Sequence, residues 1–253
     1  MLGNSLALTA PNKITRTGTG GGGGVAYTQS RVDNQGTAYL RNAAFVSSMA
    51  DSPLCTFSCW LYPQTATAAA AHRVFQLTVV GGSIFLLNRT SGANTLQLAW
   101  GYNATADAGT PGSQLSTTIV TGNISDGWHH IFIRGDADTA GTEVYVDGTL
   151  SYAAAPNFPG FTTQYSLAVQ IGICAGHAGG NIGDYMVADC FFRRGYYGAV
   201  ADFYGGGTPP DISALGAAAE VFIKGNAAVW NTPTNSGVGV GGALTTTGTY
   251  INV

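Results

Sequence analysis

The sequence predicts an all-β sandwich, and three observations carry that expectation. The 253 residues include 37 glycines but two glutamates and two lysines, a composition poor for helices and good for strands and turns. From about residue 36, short apolar-aromatic runs alternate with Gly, Asn, Asp and Pro clusters at the spacing of an all-β domain. Hydrophobic residues make up 45% and charged residues 9%, so the chain can bury a substantial core, and sandwiches of this length often form one domain.

Residues 1–35 form an expected arm or linker, because "TRTGTGGGGGV" cannot pack a core of its own. Gly18 to Gly23 satisfies G-x-G-x-x-G, but no apolar strand feeds it and no helix pattern follows, so it is not read as a dinucleotide loop. Ordering such a chain costs on the order of 1 kcal/mol per residue, which neighbouring subunits would offset. Extended, about 35 residues reach on the order of 100 Å.

The remaining residues, 36–253, are read as one domain with a glycine-rich C-terminal tail. Its expected strands are "AYLRN", "CTFSCWLYP", "RVFQLTV", "SIFLLNR", "LQLAWGY", "STTIVTG", "HHIFIRG", "EVYVDG", "SLAVQIGIC", "YMVADCFFRR" and "EVFIKG". In "CTFSCWLYP", Cys55, Phe57, Cys59 and Leu61 share a face opposite Thr56, Ser58, Trp60 and Tyr62, predicting a half-buried strand that Pro63 closes. In the run from Trp128, His130 and Phe132 face with the tryptophan while His129, Ile131 and Ile133 face away, so both faces are largely apolar and the strand is interior. "GDADTAG" reads as the following hairpin loop, and Asp147-Gly148 as the next turn. "GAVADFYGG" predicts one short helical turn.

Several chemistries are weighed and set aside. Adjacent His129 and His130 point to opposite faces and cannot easily share an ion, while His72 and His177, read as loop residues, lack ligand partners at a recognisable spacing. Cys55, Cys59, Cys174 and Cys190 have no Cys-x-x-Cys pair and read as buried thiols. A bridge within the first strand is too long, whereas a link from it to Cys174 or Cys190 stays open. The two glutamates, Glu143 and Glu220, lie on different strands, and Asp184 and Asp189 face oppositely on a regular strand, so no glycosidase carboxylate pair is visible and no catalytic residue is assigned. Asn88, Asn103 and Asn123 match the glycan-acceptor pattern by chance. A net charge of -3 without a basic tract argues against nucleic acid, and the chain lacks both a spanning apolar run and a secretory start, so it reads as soluble and not exported by the usual route.

At "DGWHHIFIRGDADTAGTEVYVDGTLSY" the chain resembles the laminin G-like branch of the concanavalin A-like jelly rolls, with Trp128, His129, Tyr145, Asp147 and Gly148 in matching places. "PLCTFSCWLYPQ", with Phe57 and Trp60, is similar to that family's early strand, and "NIGDYMVADCFFRRGYYGAVADFYGGG", with Asp189, to its closing strand. The segment from Pro209 resembles the ends of laminin G-like proteins of tailed bacteriophages at Phe222, Gly225, Ala228, Trp230, Asn231, Gly241, Gly242 and Gly248. The glycine-rich arm has no counterpart in that fold.

The resemblance implies a jelly-roll sandwich in which the aromatic and imidazole rings are wall material. It also implies a non-enzymatic phage structural protein, capsid- or tail-associated, anchored by its arm. Its partners would be other virion proteins and copies of itself, and it would be assembled in the bacterial host cytoplasm. The alternative is a tail-fibre or spike module that binds host polysaccharide, with Tyr102, Phe158, Phe161, Tyr196 and Tyr197 as the aromatics that could stack on sugar rings. No cofactor is expected. Family members often hold calcium at the sandwich rim, where Asp107, Asp136 and Asp138 lie in suitable loops, but no residue is assigned to it.

Overall fold

A computed structural model describes residues 32–34, 37–42, 50–63, 72–79, 82–90, 95–101, 114–120, 124, 127–155, 162–163, 165, 170–174, 182–206, 211–216, 218–225, 227–233 and 244–252. Strands in chain order are β1 (Val32–Asp33), β2 (Tyr39–Asn42), β3 (Leu54–Pro63), β4 (His72–Val79), β5 (Gly82–Arg89), β6 (Leu96–Gly101), β7 (Gln114–Val120), β8 (His129–Asp136), β9 (Gly141–Val146), β10 (Thr149–Ala154), β11 (Gln170–Ile173), β12 (Tyr185–Arg194), β13 (Val221–Ile223), β14 (Thr245–Thr247) and β15 (Ile251–Asn252). They form two antiparallel sheets. One runs β10-β9-β8-β3-β12-β1-β15, with β13 also on β12, and the other runs β14-β2-β11-β4-β5-β6-β7. The chain passes repeatedly from one sheet to the other, so this is the jelly-roll sandwich that the sequence predicts.

The core lies between the sheets. Phe57 and Phe192 of the first sheet meet Phe75 and Phe85 of the second at centroid distances between 5.0 and 5.7 Å. All four rings are buried, and burying each is worth roughly 2–3 kcal/mol before entropy is counted. The sheets also close on Gly135 of β8, where an added Cβ would stand 2.2 Å from the Trp100 ring of β6.

Three expectations about strands change. The first is that β3 is not half-buried: Thr56, Ser58 and Trp60 on its outer face are as buried as the core side. The chain after β12 returns over that face, bringing Phe203, Ile212 and Ala219 onto Phe132, Phe191 and Phe222 as a second apolar layer. The 3-10 turn expected here spans Val200–Asp202.

The second concerns β12, which is not regular. Its register against β3 shifts between Ala188 and Phe191, and Asp189 takes φ 48°. The extra residue is a β-bulge that inverts side-chain parity. Tyr185 and Val187 face the main core before it, and Cys190 and Phe192 after it, so the regular-strand argument about Asp184 and Asp189 does not apply.

The third concerns the ends of the domain. Within the residues expected as an arm, Val32 and Asp33 pair with both β12 and β15. The Asn34 side chain is buried; its amide donates to the Ala38 and Gly183 carbonyls and its oxygen accepts from the Tyr185 N–H. The described C-terminal residues likewise belong to the sandwich. A short helix α1 (Ala227–Asn231) buries Trp230 against Tyr250 at 5.3 Å, and Asn231 exchanges two hydrogen bonds with the Tyr250 backbone. Residues 1–31 and 234–243, with most of the arm and the glycine-rich tail, lie outside the described residues.

The four cysteines are buried free thiols, so none of the links left open from the first strand is formed. His72 is not in a loop but opens β4. Asn88 is buried, its side-chain oxygen accepting from Arg73 and its amide donating to Gln97, so it is not presented as a glycan acceptor. His177, Asn103 and Asn123 lie outside the described residues.

Candidate functional site

The site is built on the outer face of the first sheet. Register places Glu143 opposite Arg134, Arg134 opposite Thr56, and Thr56 opposite Arg193, one polar row across β9, β8, β3 and β12. Gly195, at φ 65°, turns the chain back after β12 and sends Tyr196, Tyr197 and Gly198 over that row. The Thr56 hydroxyl fastens the crossing, donating to the Tyr196 carbonyl at 2.7 Å and accepting from the Gly198 N–H at 3.0 Å. Arg134 adds a third link, donating from Nη1 to the Gly198 carbonyl at 3.2 Å.

Each tyrosine ring carries a guanidinium. Arg134 stands 4.6 Å from the Tyr197 ring and Arg193 4.6 Å from the Tyr196 ring. Arg134 also donates to Glu143 Oε2 from Nε at 2.8 Å and from Nη2 at 2.6 Å, and Tyr145 donates to the same oxygen at 2.7 Å. Burial alone would raise the Glu143 carboxyl, but the hydrogen bonds from Tyr145 and Arg134 outweigh it and hold the group below its ordinary range. Both tyrosines are half-buried. Tyr196 packs at its inner edge on the Phe132–Phe191 layer, and its hydroxyl reaches Asp202 at 3.5 Å. The result is a fixed, partly open surface of two aromatic rings, two guanidiniums and flanking carboxylates.

Of the five aromatics expected to stack on sugars, the structure brings Tyr196 and Tyr197 together, while Tyr102, Phe158 and Phe161 lie outside the described residues. The structure adds Thr56, Arg134, Glu143 and Arg193, which no sequence motif gathers into a binding site. The signal available was the cross-strand pairing of Arg134 with Glu143, whereas the bond from Thr56 to the loop spans 140 residues and has no sequence signature.

The Trp-His-His stretch forms a neighbouring wall. Asp147 and Gly148 turn with φ 52° and 74°. The Asp147 carboxylate accepts from His129 Nδ1 and from the His130 backbone N–H, both at 2.8 Å. A Cβ on Gly148 would stand 2.5 Å from the Tyr204 ring, so that ring covers the turn. Tyr204 stacks on His130 at 5.4 Å and Trp60 at 5.9 Å, and Trp128 meets Tyr62 edge-on at 6.1 Å. His130 Nε2 and the Ser58 hydroxyl are hydrogen-bonded at 2.9 Å, the spacing of a nucleophile and base. Both are buried, and burial drives the His130 imidazole down to about 3, so the pair faces no substrate and holds a poor base. Trp230, the remaining motif residue, packs in the main core.

The two glutamates are tied to arginines, Glu143 to Arg134 and Glu220 to Arg194 Nε at 3.1 Å. Among the described residues, no three or more His, Cys, Asp or Glu gather where they could hold a metal. Asp136 turns its carboxylate onto its own loop, accepting from the Asp138 and Thr139 N–H groups and the Thr139 hydroxyl. Asp107 lies outside the described residues.

No family model matches the chain, and no curated protein matches it in sequence. Among solved structures it is similar to a native heptameric SAP-like pentraxin of Limulus polyphemus, at 13% identity and TM-score 0.47 over 90% of this chain and 92% of that one. It is similar to a Bacteroides ovatus protein assigned to carbohydrate binding, at 13% identity and TM-score 0.47, covering 65% of this chain and 43% of that one. A third likeness is to the receptor-binding domain of botulinum neurotoxin C/D mosaic serotype, at 10% identity and TM-score 0.44, covering 60% of this chain and 35% of that one.

Proposed function

We propose that this chain is a non-enzymatic glycan-binding module, carried on a bacteriophage particle through its N-terminal region. One observation carries the binding reading: the half-buried rings of Tyr196 and Tyr197, each with a guanidinium beside it, on a loop fastened by Thr56 and Arg134. Sugar rings present an apolar C–H face to an aromatic ring and hydroxyls to planar donors and carboxylates. A surface already fixed before the ligand arrives avoids much of the ordering cost of binding.

The absence of catalysis is supported by the two glutamates. A glycosidase needs one carboxyl to act as acid while a second acts as nucleophile or base across the bond, whereas here each is held by an arginine. The phage setting is supported by the resemblance of the C-terminal segment around Trp230 and Asn231.

Purified protein on a glycan array tests the binding reading. The expected result is retention of a defined set of glycans that falls at least tenfold for Tyr197→Ala and survives removal of residues 1–31. Release of reducing ends from a retained glycan would contradict the non-enzymatic part. Mass spectrometry of purified particles tests the setting, with the chain expected at stoichiometric copy number and its absence overturning the assignment.

A further inference from the structure

Arg134 and Arg193 lie in the row under the Tyr196–Tyr197 loop and Arg194 follows on the other face of β12, and the three are in unlike states. Arg134 has a protein partner on each nitrogen, with Glu143 on two of them and the Gly198 carbonyl on the third. Arg194 is paired with the buried Glu220 carboxylate, which also accepts from the Arg194 backbone N–H at 2.9 Å. Arg193 differs from both. Among the described residues its guanidinium lies over the Tyr196 ring and makes no hydrogen bond or ion pair. Asp202, the nearby exposed carboxylate, meets the Tyr196 hydroxyl rather than the guanidinium.

We propose that Arg193 receives the carboxylate of an acidic sugar, a uronate or sialate, while Tyr197 and the Arg134–Glu143 pair contact the rest of the glycan. This rests on the glycan-binding reading above and names the ligand class it selects. A guanidinium offers five N–H donors in a planar fork that fits a carboxylate through two parallel bonds. Stacking on Tyr196 holds that plane still. The ring itself is fixed by its carbonyl's bond from Thr56 and by its packing on the Phe132–Phe191 layer, so the fork is positioned without a protein carboxylate occupying it. The Glu220 carboxylate feels the Arg193 charge but bonds Arg194, so a neutral sugar would leave the Arg193 fork unfilled, whereas an acidic one matches it in both charge and shape.

The test is an array of uronate- and sialate-bearing oligosaccharides printed beside the same glycans with the carboxyl reduced to the alcohol. The native chain should favour the acids by about tenfold or more, the scale of one charge-assisted contact. Arg193→Gln should bring binding of the acids down to that of the reduced glycans, and a urea midpoint matching the native chain's shows that the variant is folded. Arg193→Lys, which keeps the charge and loses the fork, should retain part of the preference. Equal binding to acid and alcohol by the native chain, or an undiminished preference in Arg193→Gln, overturns the inference and leaves the glycan reading standing. Failure to bind any glycan overturns both.

Discussion

Asp147 shows how a motif that invites a catalytic reading can be structural. Its two carboxylate oxygens accept from the His129 imidazole and the His130 backbone, and its own N–H donates to the His130 carbonyl at 3.0 Å, so one turn fixes two consecutive histidines. Asp147→Ala removes both acceptors and leaves donors unsatisfied in largely dry surroundings. It should cost about 2–4 kcal/mol in urea unfolding, with the midpoint shifted and the slope unchanged. His130 makes a pH-dependent contribution of known sign. Its folded pKa, near 3, lies below the ordinary 6.5 because burial disfavours the imidazolium, so below pH 6.5 the unfolded chain binds a proton that the native state refuses. Stability is therefore lost as pH falls from 6.5 toward 3. The hydrogen-bonded Glu143, itself held low, begins to add to the loss only when the unfolded glutamate titrates, near its ordinary value of 4.5. Between pH 6.5 and 5, urea titrations of His130→Gln should show a shallower loss than the native chain. Parallel curves would mean that His130 takes up its proton in the folded state.

The row beneath the tyrosine loop depends on whole strands being in register, and Thr56 is where that dependence can be measured. Thr56→Val keeps the shape and removes a hydroxyl that both donates and accepts across the loop. The change should cost about 1–3 kcal/mol and raise the hydrogen-exchange rate of the Gly198 amide well above that of the β3–β8 ladder. Unchanged exchange would show that the loop is held elsewhere. The central strands, β3, β8, β9 and β12, were legible because they carry alternating or continuous apolar runs over six to ten residues. Others were not. β1 and β15 have two residues each, too few for a period, and β10 is largely exposed along "TLSYAA", so it lacks a buried face. The bulge at Asp189 needs its positive φ to be seen, and burial of the outer side of β3 depends on chain that returns more than 140 positions later. The site divides the same way. Tyr196 and Tyr197 stand out as adjacent loop aromatics, but their arginine partners are assigned by which strands neighbour each other, and no local pattern encodes that.

The four thiols sample the whole sandwich. Cys55 and Cys59 lie on β3 and Cys190 on β12 of one sheet, while Cys174 follows β11 of the other, and all four side chains are buried. Burial pushes the Cys55 and Cys174 thiols up to about 12, with Cys59 and Cys190 also raised, because the interior disfavours a thiolate. An aromatic disulfide reagent at pH 8 needs both access and thiolate. Reaching Cys59 or Cys190 requires separating the sheets, since both face the main core together with the Phe57, Phe75 and Phe85 rings. A sandwich with one continuous core should open as a unit. The four thiols should therefore stay unlabelled in buffer and become reactive together along urea, on the same curve as the fluorescence of the four buried tryptophans, Trp60, Trp100, Trp128 and Trp230. A thiol that labels ahead of that curve would mean that part of the sandwich opens first, and its position would identify the sheet that parts. Early labelling of Cys174 alone would place the weak seam beside β11. Early labelling of Cys190 would place it at the bulge, beneath the same strand that carries Arg193.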